Sequence, residues 1–291
     1  MTARLTVFAF RVAWALIPRI PESVATRIFD ALFDVLWLRN DKGVRRLQAN
    51  LARVTGLPIE SESLRALTRD GMRSYGRYWR EMFSLSSWSD EEISRRLRIE
   101  GLEYLDQALA EGRGVMLAAT HSGNWDLPGL WAGRRFGRVT TVAERLKPES
   151  LFDEFVARRT AYGAEILPHE GGAQQPFRVL LERLRAGGIV ALVSDRDLTD
   201  RGIDVNFFGA TARMAAGPAA LARTTGAALL PVAVWNDGPV VVLTIHERLA
   251  IGSDMAVADI CQRLADVFAR DIAAHPQDWH MLQRVWVEGA R

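Results

Sequence analysis

The stretch VMLAATHSGNWDLPG, from Val115 to Gly129, ends an apolar run in His121 and reaches Asp126 with four residues between the two. A histidine that takes a proton from an alcohol needs a partner on its second ring nitrogen. A carboxylate there fixes the tautomer and supports the imidazolium that forms. The HxxxxD spacing gives such a pair if the turn through Ser122, Gly123 and Asn124 folds Asp126 back toward the ring. Gly123 permits a tight bend, and Asn124 or Asp126 suits the cap of a following helix. The same residues also fit a turn histidine with a helix-capping aspartate, and spacing alone leaves both readings open. Position favours the chemistry, because open parallel sheets place their ligands at the carboxyl ends of their strands.

Other chemistries find less support. His169, His246, His275 and His280 form no HExxH-like pair, and Cys261 is the single cysteine, so no metal site is expected and no internal disulfide can form. One cysteine suits a reducing compartment. The chain has no GxSxG elbow, no GxxxxGK[ST] loop and no GxGxxG after a strand, so the usual hydrolase nucleophile and the common nucleotide loops are missing. EGGAQQP (Glu170–Pro176) matches no phosphate loop and reads as an ordinary loop.

The elements that would position His121 follow from the apolar pattern. The first part of the chain reads as helices: IFDALFDVLWLR, then DKGVRRLQANLARVTG ended by Gly56 and Pro58, then the amphipathic Ser61–Leu85. Ser89 and Glu92 form a capping box for a short helix after it. From Arg96 onward, strands alternate with helices. LRIEG, VMLAAT, RVTTVAE, AEILP, IVALVSD, AALLPVAVW and PVVVLTIHERL read as strands, the last two joined by a turn at Asn236–Pro239. Between them lie LEYLDQALAEGRG, a helix from the His121 turn through Trp131, PESLFDEFVARRTAYG, QPFRVLLERLRAGG and PAALARTTG, with a last helix over Met255–Ala274. Arg196–Gly217 reads as a loop. Several strands are continuous apolar runs, as expected when both faces of a sheet are covered. The expectation is an α/β fold with a mostly parallel central sheet flanked by helices and a helical N-terminal segment. It forms a single domain over 1–291, with a helical part, 1–95, that can serve as a membrane platform, and an α/β catalytic core, 96–291.

Composition bounds the partners. Of the 291 residues 48% are hydrophobic, enough for a large core, and the net charge is +2. Only Lys42 and Lys147 are lysines, so the basic side chains are almost all arginine, which holds phosphates at several points. Arg45–Arg46, Arg95–Arg96–Arg98, Arg134–Arg135–Arg138 and Arg158–Arg159 suit either solvated helix faces or contact with phosphate groups. No zinc-finger, RNP-type or basic-zipper pattern occurs, so nucleic acid is not expected as a partner. Leu5–Ile17 is shorter than the roughly 20 residues that span a bilayer and contains Arg11. It also makes a poor signal peptide, because Arg11 interrupts its apolar region and SVA (Ser23–Ala25) is a weak cleavage site. As an amphipathic helix it puts Arg4 and Arg11 on one face and Phe10, Trp14 and Ile17 elsewhere, so it suits a membrane interface or packing on the domain. Phe10, Trp14, Phe29 and Trp37 are the apolar residues expected to enter the membrane.

HSGNWD resembles the HxGNW[DE] block of the bacterial lipid A biosynthesis acyltransferase family, within the wider HxxxxD glycerolipid acyltransferases. The resemblance continues through ERLKPESLFDEFVARRTAYGAEILP, ALVSDRDLTDRGIDVNFFG and LLPVAV to HPQDWHMLQRVW, which is similar to the family's closing HP-x-x-W segment, and covers Arg98–Trp286. SDRDLTDRGIDVNFFG is most similar to the family members that acylate phosphatidylinositol mannosides. The chain lacks an EGTR block, which lowers a simple glycerophospholipid acceptor. It has Asp126 where lipid A enzymes have glutamate, and it lacks the membrane-spanning helix many of them carry.

The resemblance implies transfer of a palmitoyl chain from acyl-CoA, a co-substrate rather than a cofactor, to the 6-hydroxyl of a mannose on phosphatidylinositol mono- or dimannoside. It implies His121 as general base, oriented by Asp126. It places Glu144, Arg159 and Asp195 on the acceptor side, although capping roles for Glu144 and Asp195 and a surface role for Arg159 fit their positions as well. Arg196 suits a phosphate anchor or an ion pair with Asp197. Phe207–Gly209 with Met214 suits either an acyl channel or core packing. The implied location is the cytoplasmic face of the plasma membrane, bound peripherally to an anionic surface. Other readings remain: a different lipid acceptor, a non-catalytic membrane-binding protein on this fold, or a thioester hydrolase.

Overall fold

A computed structural model describes residues 2–170, 175–197 and 202–287. The chain opens with helices α1 (Thr2–Leu16), α2 (Glu22–Arg39), α3 (Lys42–Thr55), α4 (Glu62–Ser84) and α5 (Asp90–Arg96). Local signals set their ends. Asp41 accepts from the amides of Gly43 and Val44 to start α3, and Gly56 closes it in the left-handed conformation. Ser89 and Glu92 cap α5 reciprocally, as their spacing predicts.

The rest alternates. In chain order it comprises β1 (Leu97–Glu100), α6 (Leu102–Ala110), β2 (Val115–Ala119), α7 (Asp126–Phe136), β3 (Val139–Ala143), α8 (Glu149–Thr160), β4 (Ala164–Pro168), α9 (Pro176–Arg185), β5 (Ile189–Val193), β6 (Ile203–Phe207), β7 (Ala210–Met214), α10 (Gly217–Thr225), β8 (Ala228–Asp237), β9 (Val240–Ile245) and α11 (Val257–Ala274). Seven strands form one sheet in the order β1-β9-β8-β2-β5-β3-β4. All neighbours are parallel except β8 and β9, which are joined by the expected hairpin. The fold is α/β with a mostly parallel sheet. One face of the sheet packs on α9, α10 and α11 through Leu180, Leu221, Leu264 and Phe268, and the other on α5, α6 and α7 through Ile93, Leu105, Leu127 and Leu130.

Arg196–Gly217 differs from its sequence reading. Residues 198–201 fall outside the described residues, but β6 and β7 form an antiparallel hairpin, with Ile203 opposite Met214. The two turn residues, Phe208 and Gly209, both have positive φ, 50° and 74°. Such tight turns favour Asn or Asp first, and a phenylalanine there conceals the signal.

The N-terminal helices also correct an expectation. Trp14 and Phe29 are buried in a cluster with Phe33, Leu47, Leu51 and Phe83, and Phe10 and Trp37 are partly buried against it. They hold the helices together and are not free to enter a membrane. The exposed apolar side chains are others: Leu5, Phe8 and Leu16 on α1, and Val24, Ile28, Leu32, Val35 and Leu38 on α2. Arg11 pairs with Glu154 of α8. Among the described residues, no helix is long and apolar enough to cross a membrane.

Candidate active site

Parallel pairing of β2 and β5 builds the centre of the site. Ala119 lies opposite Val193, and the Ser194 amide donates to the Ala119 carbonyl. Two residues beyond that register, His121 and Asp195 leave the sheet side by side at its carboxyl edge. His121 Nδ1 lies 2.5 Å from Asp195 Oδ1, and the His121 amide donates to Asp195 Oδ2 at 3.0 Å. Trp279 Nε1 donates to the same Oδ2 at 2.8 Å.

Asp195 is completely buried. Burial disfavours its charge, but the His121 ring, the Trp279 indole and the His121 amide outweigh that and hold the carboxyl below its usual range. A carboxylate on Nδ1 keeps the proton there and leaves the Nε2 lone pair as the basic position. The His121 side chain is 28% exposed, so a hydroxyl can reach it.

Asp126 does not orient His121. It is the first residue of α7, where Arg159 of α8 grips it with two parallel bonds, Nε to Oδ1 at 2.7 Å and Nη2 to Oδ2 at 2.8 Å, and Tyr78 of α4 donates to Oδ2 at 3.0 Å. Gly123 is the physical reason. Its φ of +57° swings the chain so that α7 starts at Asp126. Asn124 caps that helix by accepting from the amides of Asp126 and Leu127, so the Asp126 carboxylate is free to turn to α4 and α8. The pair also engages Arg159, which was expected on the acceptor side. Burial works against the guanidinium charge, yet Asp126 and then Tyr78 raise its pKa above the ordinary value. The three side chains fasten α7, α8 and α4 together behind the His121 turn.

The turn is held from two further sides. Asn124 Nδ2 donates to the buried Glu81 of α4 at 2.8 Å, and Glu81 is balanced by Arg77 at 2.6 Å and Arg80 at 3.4 Å. The closing segment runs antiparallel to the turn at Ser122 and Trp279. There the Gly123 amide donates to the Asp278 carbonyl, and the His280 amide to the His121 carbonyl. The Asp278 carboxylate accepts from Ser74 and from the amide and side chain of Asn236. Ser74 in turn lies 2.9 Å from His280 Nε2. Burial first, then the nearby His121 ring, lowers the His280 pKa to about 3, so this imidazole is neutral at physiological pH.

Glu144, just past β3, and Arg196, after Asp195, meet at 3.5 Å on the same sheet edge. The site therefore unites His121 with Asp195, Glu144 with Arg196, and Asp126 with Arg159. Among the described residues, no three His, Cys, Asp or Glu side chains are grouped as a metal site. Phe207 is completely buried beside Trp279 and Trp286, and Met214 is buried in the same cluster, so both serve the core.

Sequence reading missed Tyr78, Glu81, Asp278, Trp279 and His280. The last three lie in the closing HPQDWH, which stood out in the sequence without a role. Tyr78 and Glu81 were hidden inside a charged, aromatic helix whose buried face periodicity alone cannot assign to a partner.

The chain matches the family described as bacterial lipid A biosynthesis acyltransferase over residues 1–288. It is similar to a phosphatidylinositol mannoside acyltransferase of Mycobacterium tuberculosis (strain H37Rv), with 45% identity over 99% of this chain and 90% of that protein. It is also similar to a protein of the same name from Mycolicibacterium smegmatis, with 43% identity over 98% of this chain and 92% of that protein.

Proposed function

This chain belongs to the bacterial lipid A biosynthesis acyltransferase family and is an acyltransferase, and on that premise we propose that it carries a palmitoyl chain from palmitoyl-CoA to the 6-hydroxyl of a mannose on a phosphatidylinositol mannoside. The observation that carries the reading is the accessible His121 ring backed by the buried Asp195 carboxylate at 2.5 Å, in a chain whose relatives are named for that acceptor.

His121 Nε2 takes the hydroxyl proton as the mannose oxygen attacks the thioester carbonyl. The tetrahedral intermediate collapses, the carbon–sulfur bond breaks, and the leaving thiolate takes the proton back from the imidazolium. Asp195 stabilises the cationic ring throughout. No acyl-enzyme and no metal take part. Glu144 and Arg196 form the wall nearest the acceptor, while Asp126, Tyr78 and Arg159 fasten α7 to α4 and α8 behind the turn. The exposed apolar residues of α1 and α2 rest on an anionic membrane, at the cytoplasmic face of the plasma membrane where acyl-CoA is supplied.

The test is transfer from labelled palmitoyl-CoA to a panel of purified lipids. Acylation of phosphatidylinositol mono- or dimannoside is expected. Equal transfer to an unrelated lipid would overturn the acceptor. Acyl-CoA consumption at the same rate without any acceptor would make the protein a thioester hydrolase.

A further inference from the structure

We infer that Trp279 is a positioning residue of the site, its indole N–H fixing the Asp195 carboxylate that orients His121. The inference rests on the general-base reading of His121.

A buried carboxylate needs donors on both oxygens. Asp195 has three: the His121 ring nitrogen, the His121 amide and Trp279 Nε1. Two of these belong to the residue being positioned. Trp279 is thus the one side-chain donor, among the described residues, that holds Asp195 independently of His121. Without it Oδ2 keeps the His121 backbone amide alone, at 3.0 Å, and no side chain other than the one being positioned fixes the carboxylate plane.

The indole is well placed for this task. Trp279 is completely buried, and Phe207 and Trp286 each meet its ring edge-on at 6.2 Å. Its backbone is laced to the catalytic turn on both sides, by the Gly123–Asp278 bond at 2.9 Å and the His280–His121 bond at 2.8 Å. Donor, carboxylate and imidazole therefore move as one body, although 84 residues separate Asp195 from Trp279.

The N–H also draws charge from the carboxylate. Removing it leaves more negative charge facing His121 and favours the imidazolium. The titratable groups that interact with His121 are Asp195 and the neutral His280. Asp126, at the start of α7, is closed by Arg159 and Tyr78, and Glu81 of α4 by Arg77 and Asn124.

The experiment compares wild type with Trp279→Phe and with a variant carrying 3-benzothienylalanine at position 279, which keeps the bicyclic shape and lacks the N–H. The His121 imidazole is followed by NMR in histidine-labelled protein, its signal identified by its loss in His121→Ala. Both variants are expected to titrate at His121 higher than wild type by about half a pH unit. In the transfer assay kcat is expected to fall about tenfold, with KM for both substrates little changed. A purely structural role would move the melting temperature without moving the titration. An unchanged His121 titration in the benzothienyl variant overturns the inference, and that variant decides if Trp279→Phe does not fold. Absence of acyl transfer by wild type would defeat the functional reading instead, and the NMR titration would still decide the role of Trp279.

Discussion

Asp195 and Asp126 both stand at the HSGNWD turn, and their surroundings divide the work. Asp195 faces the ring of His121, whereas Asp126 faces a guanidinium and a phenol. His121→Ala is expected to lose about 10²–10⁴-fold in kcat with the fold intact, the usual worth of a general base. Asp195→Asn should lose nearly as much. Asp126→Asn should instead act through stability, because it leaves Arg159 without its counter-charge; about 3 kcal/mol is expected from breaking such a pair. Urea unfolding beside steady-state kinetics separates the two, and a large kcat loss in Asp126→Asn at unchanged stability would return Asp126 to the catalytic dyad. His280 supplies a pH signature. Its pKa is about 3 in the fold against an ordinary 6.5, so below 6.5 the unfolded chain takes a proton that the native state refuses. Its contribution to stability is complete above 6.5 and is lost as pH falls toward 3. Between pH 7 and 5 it should cost about 2 kcal/mol. His280→Gln should flatten that slope in unfolding curves at the two pH values, and an equally steep slope in the variant would assign it to other groups.

At the scale of elements, the turn between β2 and α7 carries the constraint. A Cβ on Gly123 would lie 2.7 Å from the Val234 carbonyl oxygen, at a φ of +57°. Gly123→Ala is therefore expected to cost at least about 2 kcal/mol, from left-handed strain and the clash together. It should also depress kcat by displacing His121, which thermal melts and transfer assays would report; wild-type values for both would mean the turn is more tolerant than its packing indicates. The elements around this turn were legible because β2 and β5 are apolar runs with glycine just before them. The His121 strand end, the Pro231-containing β8 and the capping box at Ser89 were all visible in the residues. Asp195 was also visible as a carboxylate at a strand end. Its partnership with His121 was not, because it depends on β5 inserting between β2 and β3 in the sheet, and strand order leaves no local trace. HxxxxD instead suggested a neighbour in sequence, and the left-handed Gly123 sends that neighbour elsewhere.

For the whole molecule, the α/β architecture and its helical N-terminal part follow the hydrophobic pattern, but which apolar face of that part remains outside does not. Both faces of α1 and α2 carry large apolar residues, and a helical wheel cannot say which one meets α4 and α8. The structure buries Trp14 and Phe29 and leaves Phe8 67% and Ile28 51% exposed. On α2 the exposed set, Val24, Ile28, Leu32, Val35 and Leu38, repeats every three or four residues and so forms one stripe, with Leu5, Phe8 and Leu16 forming another on α1. Exposed stripes of this kind mark an interaction surface, and the boundary of a bilayer is the one proposed for them. Phe8→Ser with Ile28→Ser should fold and melt like wild type, since neither side chain belongs to the core. Its partition onto vesicles containing anionic lipid should fall at least tenfold, because each apolar side chain withdrawn from the membrane forfeits about 1.5–3 kcal/mol. Trp14→Ala should behave in the opposite way, losing stability through the emptied space among Phe10, Phe83 and Phe155. Co-sedimentation at low and high salt, beside thermal melts, measures both. Unchanged vesicle binding in the Phe8, Ile28 double variant, or no binding by wild type, would overturn the membrane role proposed for these stripes.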